Sequence, residues 1–162
     1  MTLNARSEAV RRRLLRPWNF RLYLWARLPL AACAGLSLRR LDDTGCTVAL
    51  PGGWRTQNPF RSMYFAAQSM AAEMSTGAPA MMLAEGATAS VSMLVREVRG
   101  VFTRRIQGEA EFTFEDLAGM REAVDRAVAT GESESFVARS VGRNRDGGAA
   151  SEFEITWSFK RR

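Results

Sequence analysis

The chain has 162 residues, 46% hydrophobic and 25% charged, the composition of an ordinary globular protein with enough length for one domain and a real core. It contains no histidine, which excludes Ser-His-Asp and Cys-His catalysis, a histidine-base dehydratase and any zinc site that needs imidazole. Two cysteines, Cys33 and Cys46, cannot supply a Cys-only metal site and do not suggest a disulfide framework, so no metal is expected and a cytoplasmic setting is the natural expectation. The net charge is +6 and nearly all of it is arginine, a residue that stays ionised and binds phosphate bidentately. No basic run is interleaved with aromatics in a nucleic-acid motif, so no nucleic acid is expected as partner.

The first 32 residues read as a helical lead-in. A basic start, an apolar stretch and Leu30-Ala31-Ala32-Cys33 imitate a lipoprotein signal. Arg21 and Arg27 interrupt that stretch, and the run left before Cys33 is shorter than an h-region of about 7–15 residues. It is also shorter than the roughly 20 residues a bilayer span requires, so no membrane span is expected. The expected role is an amphipathic helix with Leu22, Tyr23, Trp25, Ala26 and Leu30 packed on the body; a helix lying on a membrane surface is the other reading.

Leu36–Leu41 and Thr47–Leu50 read as strands joined by a turn at Asp42-Asp43-Thr44-Gly45, together a hairpin. After a loop at Trp54–Gln57, Asn58-Pro59 is expected to open a central helix, Asn as cap and Pro in the first turn. Gly77 and Pro79 are expected to end or break it, with Ala80–Gly86 as a further helical turn or two. Ser90–Arg105 reads as one long strand with a bulge at Gly100. Glu109–Phe114 alternates strictly, with Ala110, Phe112 and Phe114 on one face. Leu117–Ala129 has helical spacing and stops at Gly131. Ser133–Arg143 is a strand, Asp146-Gly147-Gly148 a hairpin turn, and Ser151–Lys160 the cleanest strand, with Phe153, Ile155, Trp157 and Phe159 on one face. The expected class is α+β: an antiparallel sheet whose apolar face is covered by the Ala-rich central helix.

The segment NPFRSMYFAAQSMAAEMSTG, Asn58 to Gly77, carries the chemistry. It is apolar on nearly every side, the mark of a buried helix, yet holds Gln68 and Glu73. A carboxylate there is costly to bury without a partner or a task. With histidine absent, acid–base chemistry falls to carboxylates, Tyr, Cys, Lys160 or water. Each residue also has a structural reading. Asn58 can be only a cap, Glu73 can face out and pair with an arginine, Gln68 can serve backbone groups, and Tyr64 can be a packing residue. The methionines of this region (Met63, Met70, Met74, Met81 and Met82) can be core filler or the lining of an acyl tunnel.

Element order and motifs together resemble the hot-dog fold, a curved antiparallel sheet wrapped around a central helix. The nearest resemblance is to an uncharacterised thioesterase-like branch, domain of unknown function 4442. It rests on the Asn58–Gly77 segment, SMLVREVRGVFTRR followed by GEAEFTFED, ATGE at 129–132 and the closing EITWSFK, and it covers about Phe20 to the end. Related acyl-CoA thioesterases of the phenylacetate-pathway type carry Asn, then Gly, then His-Gly-Gly, then an acidic residue along the helix. Asn58 and Glu73 match the first and last; Arg61 stands in place of the Gly, and Tyr64-Phe65-Ala66 in place of His-Gly-Gly.

The resemblance implies hydrolysis of an acyl thioester of coenzyme A or acyl carrier protein, with no cofactor. Glu73 would be general base or nucleophile and Asn58 would orient water or the carbonyl. The first helix amides near Tyr64 and Phe65 would hold the oxyanion, with Gln68 or Tyr64 as a further donor. Arg104, Arg105 and Arg143, at strand ends or turns, are candidates for the phosphates of coenzyme A, or a solvated edge that blocks strand pairing. It also implies a homodimer or dimer of dimers with sites at the interface. The alternative is a hot-dog module that binds acyl groups or only assembles.

Overall fold

A computed structural model describes residues 3–162; the first two residues of the expected lead-in lie outside them. The elements run α1 (Ala5–Leu15), α2 (Pro17–Arg27), α3 (Pro29–Ala34), β1 (Ser37–Leu41), β2 (Cys46–Leu50), α4 (Phe65–Gly86), β3 (Val91–Phe102), β4 (Ala110–Phe114), α5 (Leu117–Thr130), β5 (Glu134–Asn144) and β6 (Ala149–Arg161). The six strands form one antiparallel sheet in the order β1-β2-β4-β5-β6-β3. The connection through α4 therefore carries the chain from β2 to the far edge, where β3 pairs with β6. Helix α4 packs against β2, β3, β4, β5 and β6, so the sheet curves around it.

The strict alternation of β4 and β6 has the expected result. Ala110, Phe112 and Phe114 from one strand and Phe153, Ile155, Trp157 and Phe159 from the other are all buried beneath the helices. Fully burying an aromatic or aliphatic side chain of this size is worth about 1.5–3 kcal/mol, so these two strands supply much of the apolar drive to close the sheet. Helix α5 is capped by Asp116, whose carboxylate accepts from the Gly119 amide, and buries Leu117, Met120, Val124 and Ala127.

Several sequence expectations are corrected. The lead-in is three helices, because Pro17 and Pro29 each begin a new one. The packed face of α2 is Phe20 and Leu24, with Tyr23 partly covered; Leu22, Trp25, Ala26 and Leu30 are exposed instead. Asn58 does not cap α4, which begins at Phe65 after Tyr64. Gly77 and Pro79 do not end it: α4 runs unbroken for 22 residues to Gly86. Burial of Ala78, Pro79, Ala80 and Met82 on surrounding elements overrides the local preference to stop. Close packing needs the helix thin: a Cβ on Gly86 would lie 1.9 Å from the Ser7 hydroxyl of α1. In β3 the register shifts between Val95 and Glu97 rather than at Gly100, which pairs regularly with Phe153.

Candidate functional site

The approach to α4 is built by a tight turn. Asn58 Oδ1 accepts from the Phe60 and Ser62 amides, and its Nδ2 donates to Ser62 Oγ at 3.1 Å. Arg61 occupies the left-handed region at φ 58°, a conformation the turn imposes on a residue that disfavours it. Tyr64 N–H then donates to Thr56 and Met63 N–H to Ile106, which anchors the chain just before the helix begins. Tyr64 contributes no side-chain cap. The amides of Phe65, Ala66 and Ala67 consequently have no acceptor among the described residues. Three unsatisfied N–H groups at the positive end of a 22-residue helix favour an anionic or strongly polarised oxygen.

Two cavities flank this helix start. One, of about 380 Å³, is lined by Asn58, Phe65, Gln68, Phe102, Arg104 and Arg105 among others. Gln68 is 5% exposed; its Nε2 donates to the Met63 carbonyl at 3.1 Å, while its buried Oε1 has no hydrogen-bond partner among the described residues. The other cavity, of about 450 Å³, is apolar and includes Trp25, Leu30, Trp54, Tyr64, Ala67 and Met70 in its wall. The first turn of α4 thus separates a polar, cationic space from a greasy one.

Glu73 lies further along the same helix. About 12 Å of helix axis separates it from Phe65, at 1.5 Å per residue. It is partly buried, pairs with no arginine, and its carboxylate has no hydrogen bond among the described residues. Burial pushes its carboxyl above the usual carboxylate value. Its surroundings come from three elements. A Cβ on Gly77 would meet Glu73 Oε1 at 2.9 Å and the Trp157 ring at 3.3 Å, so the carboxylate reaches forward over the next turn of the helix, on the side that faces β6. Trp157 Nε1 donates to Thr76 Oγ1 at 2.9 Å. From α2, the Tyr23 hydroxyl donates to Met81 Sδ at 3.5 Å. The tyrosine's own pKa is raised, first by burial and then by the charges of Glu73 and Glu85. Tyr23, Thr76 and Trp157 were not among the expected site residues. The i, i+3 step from Glu73 to Thr76 and the inward face of β6 are the sequence features that could have found two of them, and nothing in the sequence marked Tyr23.

Within one chain, then, Asn58, Phe65, Gln68, Arg104 and Arg105 share a cavity, Tyr64 faces the other one, and Glu73 lines neither. Arg104 forms an exposed ion pair with Asp146 at 3.5 Å. Arg143 sits on the β5–β6 hairpin and donates to the Gly147 carbonyl, away from the cavity.

No protein-family model matches the chain, and no curated protein matches it in sequence. Solved structures do. A protein of unknown function from Chlorobaculum tepidum aligns with TM-score 0.76 at 12% identity, covering 91% of this chain and 98% of its own. A probable thioesterase of Pseudomonas aeruginosa aligns with TM-score 0.71 at 17% identity, covering 90% and 97%. A thioesterase enzyme of Staphylococcus aureus, solved with a glutamine-to-alanine substitution, aligns with TM-score 0.62 at 16% identity, covering 82% and 98%. The same Staphylococcus protein was also solved with a glutamate-to-alanine substitution fifteen positions further on. A six-stranded antiparallel sheet around a long helix, matched over nearly whole chains, gives this protein the α+β hot-dog fold that it shares with thioesterases.

Proposed function

We propose that the chain hydrolyses an acyl thioester carried by coenzyme A or acyl carrier protein. The observation that carries this reading is the start of α4: the free amides of Phe65, Ala66 and Ala67 stand between a cationic cavity and an apolar one. A thioester carbonyl at those amides would have its oxyanion stabilised by preorganised donors. The phosphorylated carrier would meet Arg104 and Arg105, with Arg143 further out, and the acyl group would enter the apolar space. Gln68, with an unpaired buried oxygen, would accept a hydrogen bond from substrate or from the attacking water.

Glu73 is assigned the general base. Its raised pKa keeps it a stronger base than an exposed carboxylate. It takes a proton from water as the oxygen attacks the carbonyl carbon; the tetrahedral intermediate collapses, the C–S bond breaks, and the thiolate leaves and takes up a proton. A same-chain Glu73 does not reach a carbonyl held at Phe65, so the proposed site joins two copies whose α4 helices run antiparallel, one supplying amides and the other the carboxylate. The long β3 edge, which exposes Leu94, Val98, Val101 and Phe102, is the surface proposed for that pairing. The fifteen-residue interval from Asn58 to Glu73 equals the one between the polar and acidic residues substituted in the Staphylococcus thioesterase, which supports the assignment. A cytoplasmic setting, where both carriers occur, fits the reading.

One observation favours a non-catalytic acyl-binding module instead: both side-chain atoms of Asn58 are engaged in the 58–62 turn. The two readings separate on thiol release from short, long and aromatic acyl-CoAs by wild type and Glu73→Gln. Turnover lost in the variant, with the fold intact by circular dichroism, supports hydrolysis through Glu73. No turnover by wild type, with acyl-CoA still bound, supports the module.

A further inference from the structure

The apolar residues of α2 divide between two opposite faces. Phe20 and Leu24 face inward, while Trp18, Leu22 and Trp25, spaced i, i+4 and i+7, form a stripe on the solvent side with 83%, 71% and 54% of their surface exposed. Trp25 shares a cavity wall with Leu30 of α3 and with Trp54 of the following loop, which are 71% and 83% exposed. Three of the four tryptophans of the chain thus project outward on this side; only Trp157 is buried. No helix among the described residues is long and apolar enough to cross a membrane.

The charge of the chain is concentrated in the same segment. Residues 5–34 hold seven arginines and one acid, Glu8, so they carry the whole net charge of +6 and the rest of the chain is balanced. Arg11 and Arg13 are engaged with Glu8, Asp43 and Glu85. Arg12, Arg16 and Arg21 are exposed and make no ion pair with any described residue, and Arg21 flanks the stripe on α2.

We propose that the α2 face docks the protein peripherally on an anionic phospholipid surface, with Trp18, Leu22 and Trp25 seated at the headgroup–acyl boundary, Arg21 beside them on lipid phosphates, and the other unpaired arginines of the segment adding attraction to the anionic surface. Helices that lie in a membrane interface combine this aromatic and aliphatic stripe with arginine beside it. Charge decides against a second copy as occupant. A twofold interface sets a patch against itself, and here that would oppose two sets of unpaired arginines with no acidic complement. An anionic surface neutralises them.

The test uses the full chain and sucrose-loaded vesicles, either phosphatidylcholine alone or equal parts phosphatidylglycerol and phosphatidylcholine. Wild type is expected to sediment with the anionic vesicles, to dissociate at high salt, and to show a blue shift of tryptophan emission on binding. Arg16→Glu/Arg21→Glu is expected to weaken binding about tenfold or more. Trp18→Ser/Leu22→Ser is expected to lose most of the blue shift. These side chains are exposed, so both variants should keep wild-type circular dichroism, and both should keep wild-type hydrolysis or binding of soluble acyl-CoA. Three outcomes would overturn the proposal: no sedimentation of folded wild type with anionic vesicles, binding insensitive to both variants, or variants that change the oligomeric state in light scattering without changing sedimentation.

Discussion

The indole of Trp157 donates to the hydroxyl of Thr76 at 2.9 Å, joining β6 to α4 one turn from Glu73. The same indole and the Glu73 carboxylate converge on one side of Gly77, 3.3 and 2.9 Å from where a Cβ would stand there. Trp157→Phe keeps an aromatic ring but removes the donor and part of the ring system. The expected loss is about 1–3 kcal/mol, a hydrogen bond plus lost packing. If Glu73 acts as proposed, the acid limb of kcat/KM should also move toward the ordinary carboxylate range as water reaches it. Chemical denaturation and a pH–rate profile check the two effects separately.

The raised carboxyl of Glu73 makes a signed prediction about stability. A pKa higher in the folded chain than the ordinary 4.5 means that the folded state binds the proton more tightly than the unfolded state does. Ionisation therefore penalises the native state, fully above the raised pKa and not at all below the ordinary one. Glu73→Gln should melt higher than wild type at neutral pH, and the difference should vanish as pH falls to 4.5 and below. Equal melting temperatures throughout would contradict the burial argument.

Ser75 and Ser140 tie α4 to β5 inside the core. Their hydroxyls are 2.8 Å apart, both residues have no exposed surface, and Ser75 also reaches the Ala72 carbonyl. Ser75→Ala strands the Ser140 hydroxyl and should cost about 1–3 kcal/mol. Adding Ser140→Ala removes the stranded group, so the double variant should be less destabilised than the sum of the single variants. Urea denaturation of the four proteins closes the cycle.

The β3 edge tests the proposed pairing of copies. Leu94 and Val98 are 66% and 48% exposed on a 12-residue strand paired only with β6. Charge on an edge strand opposes strand-to-strand addition. Leu94→Lys/Val98→Lys should shift a dimer to monomer in light scattering and, on the proposed site, abolish turnover while leaving the monomer folded.

The strands and α5 were legible because period-two and period-3.6 apolar patterns report directly on burial. Phe112, Phe114, Ile155 and Phe159 occupy the face that their spacing assigns. The limits of α4 were not, because Pro and Gly at 77–79 state a local preference that burial on five strands overrules. The inner face of α2 was misread for a related reason. Both of its faces are apolar, so periodicity could not say which one meets the body.

Composition by itself removed histidine and zinc chemistry, and the sequence singled out Glu73, since the one carboxylate in the apolar stretch from Asn58 to Gly77 is visible in one dimension. Only the tertiary structure decided its surroundings. The lack of a partner arginine among the described residues and the approach of Trp157 and Tyr23 involve segments far apart in the chain, and distance between such segments is set by packing rather than by spacing.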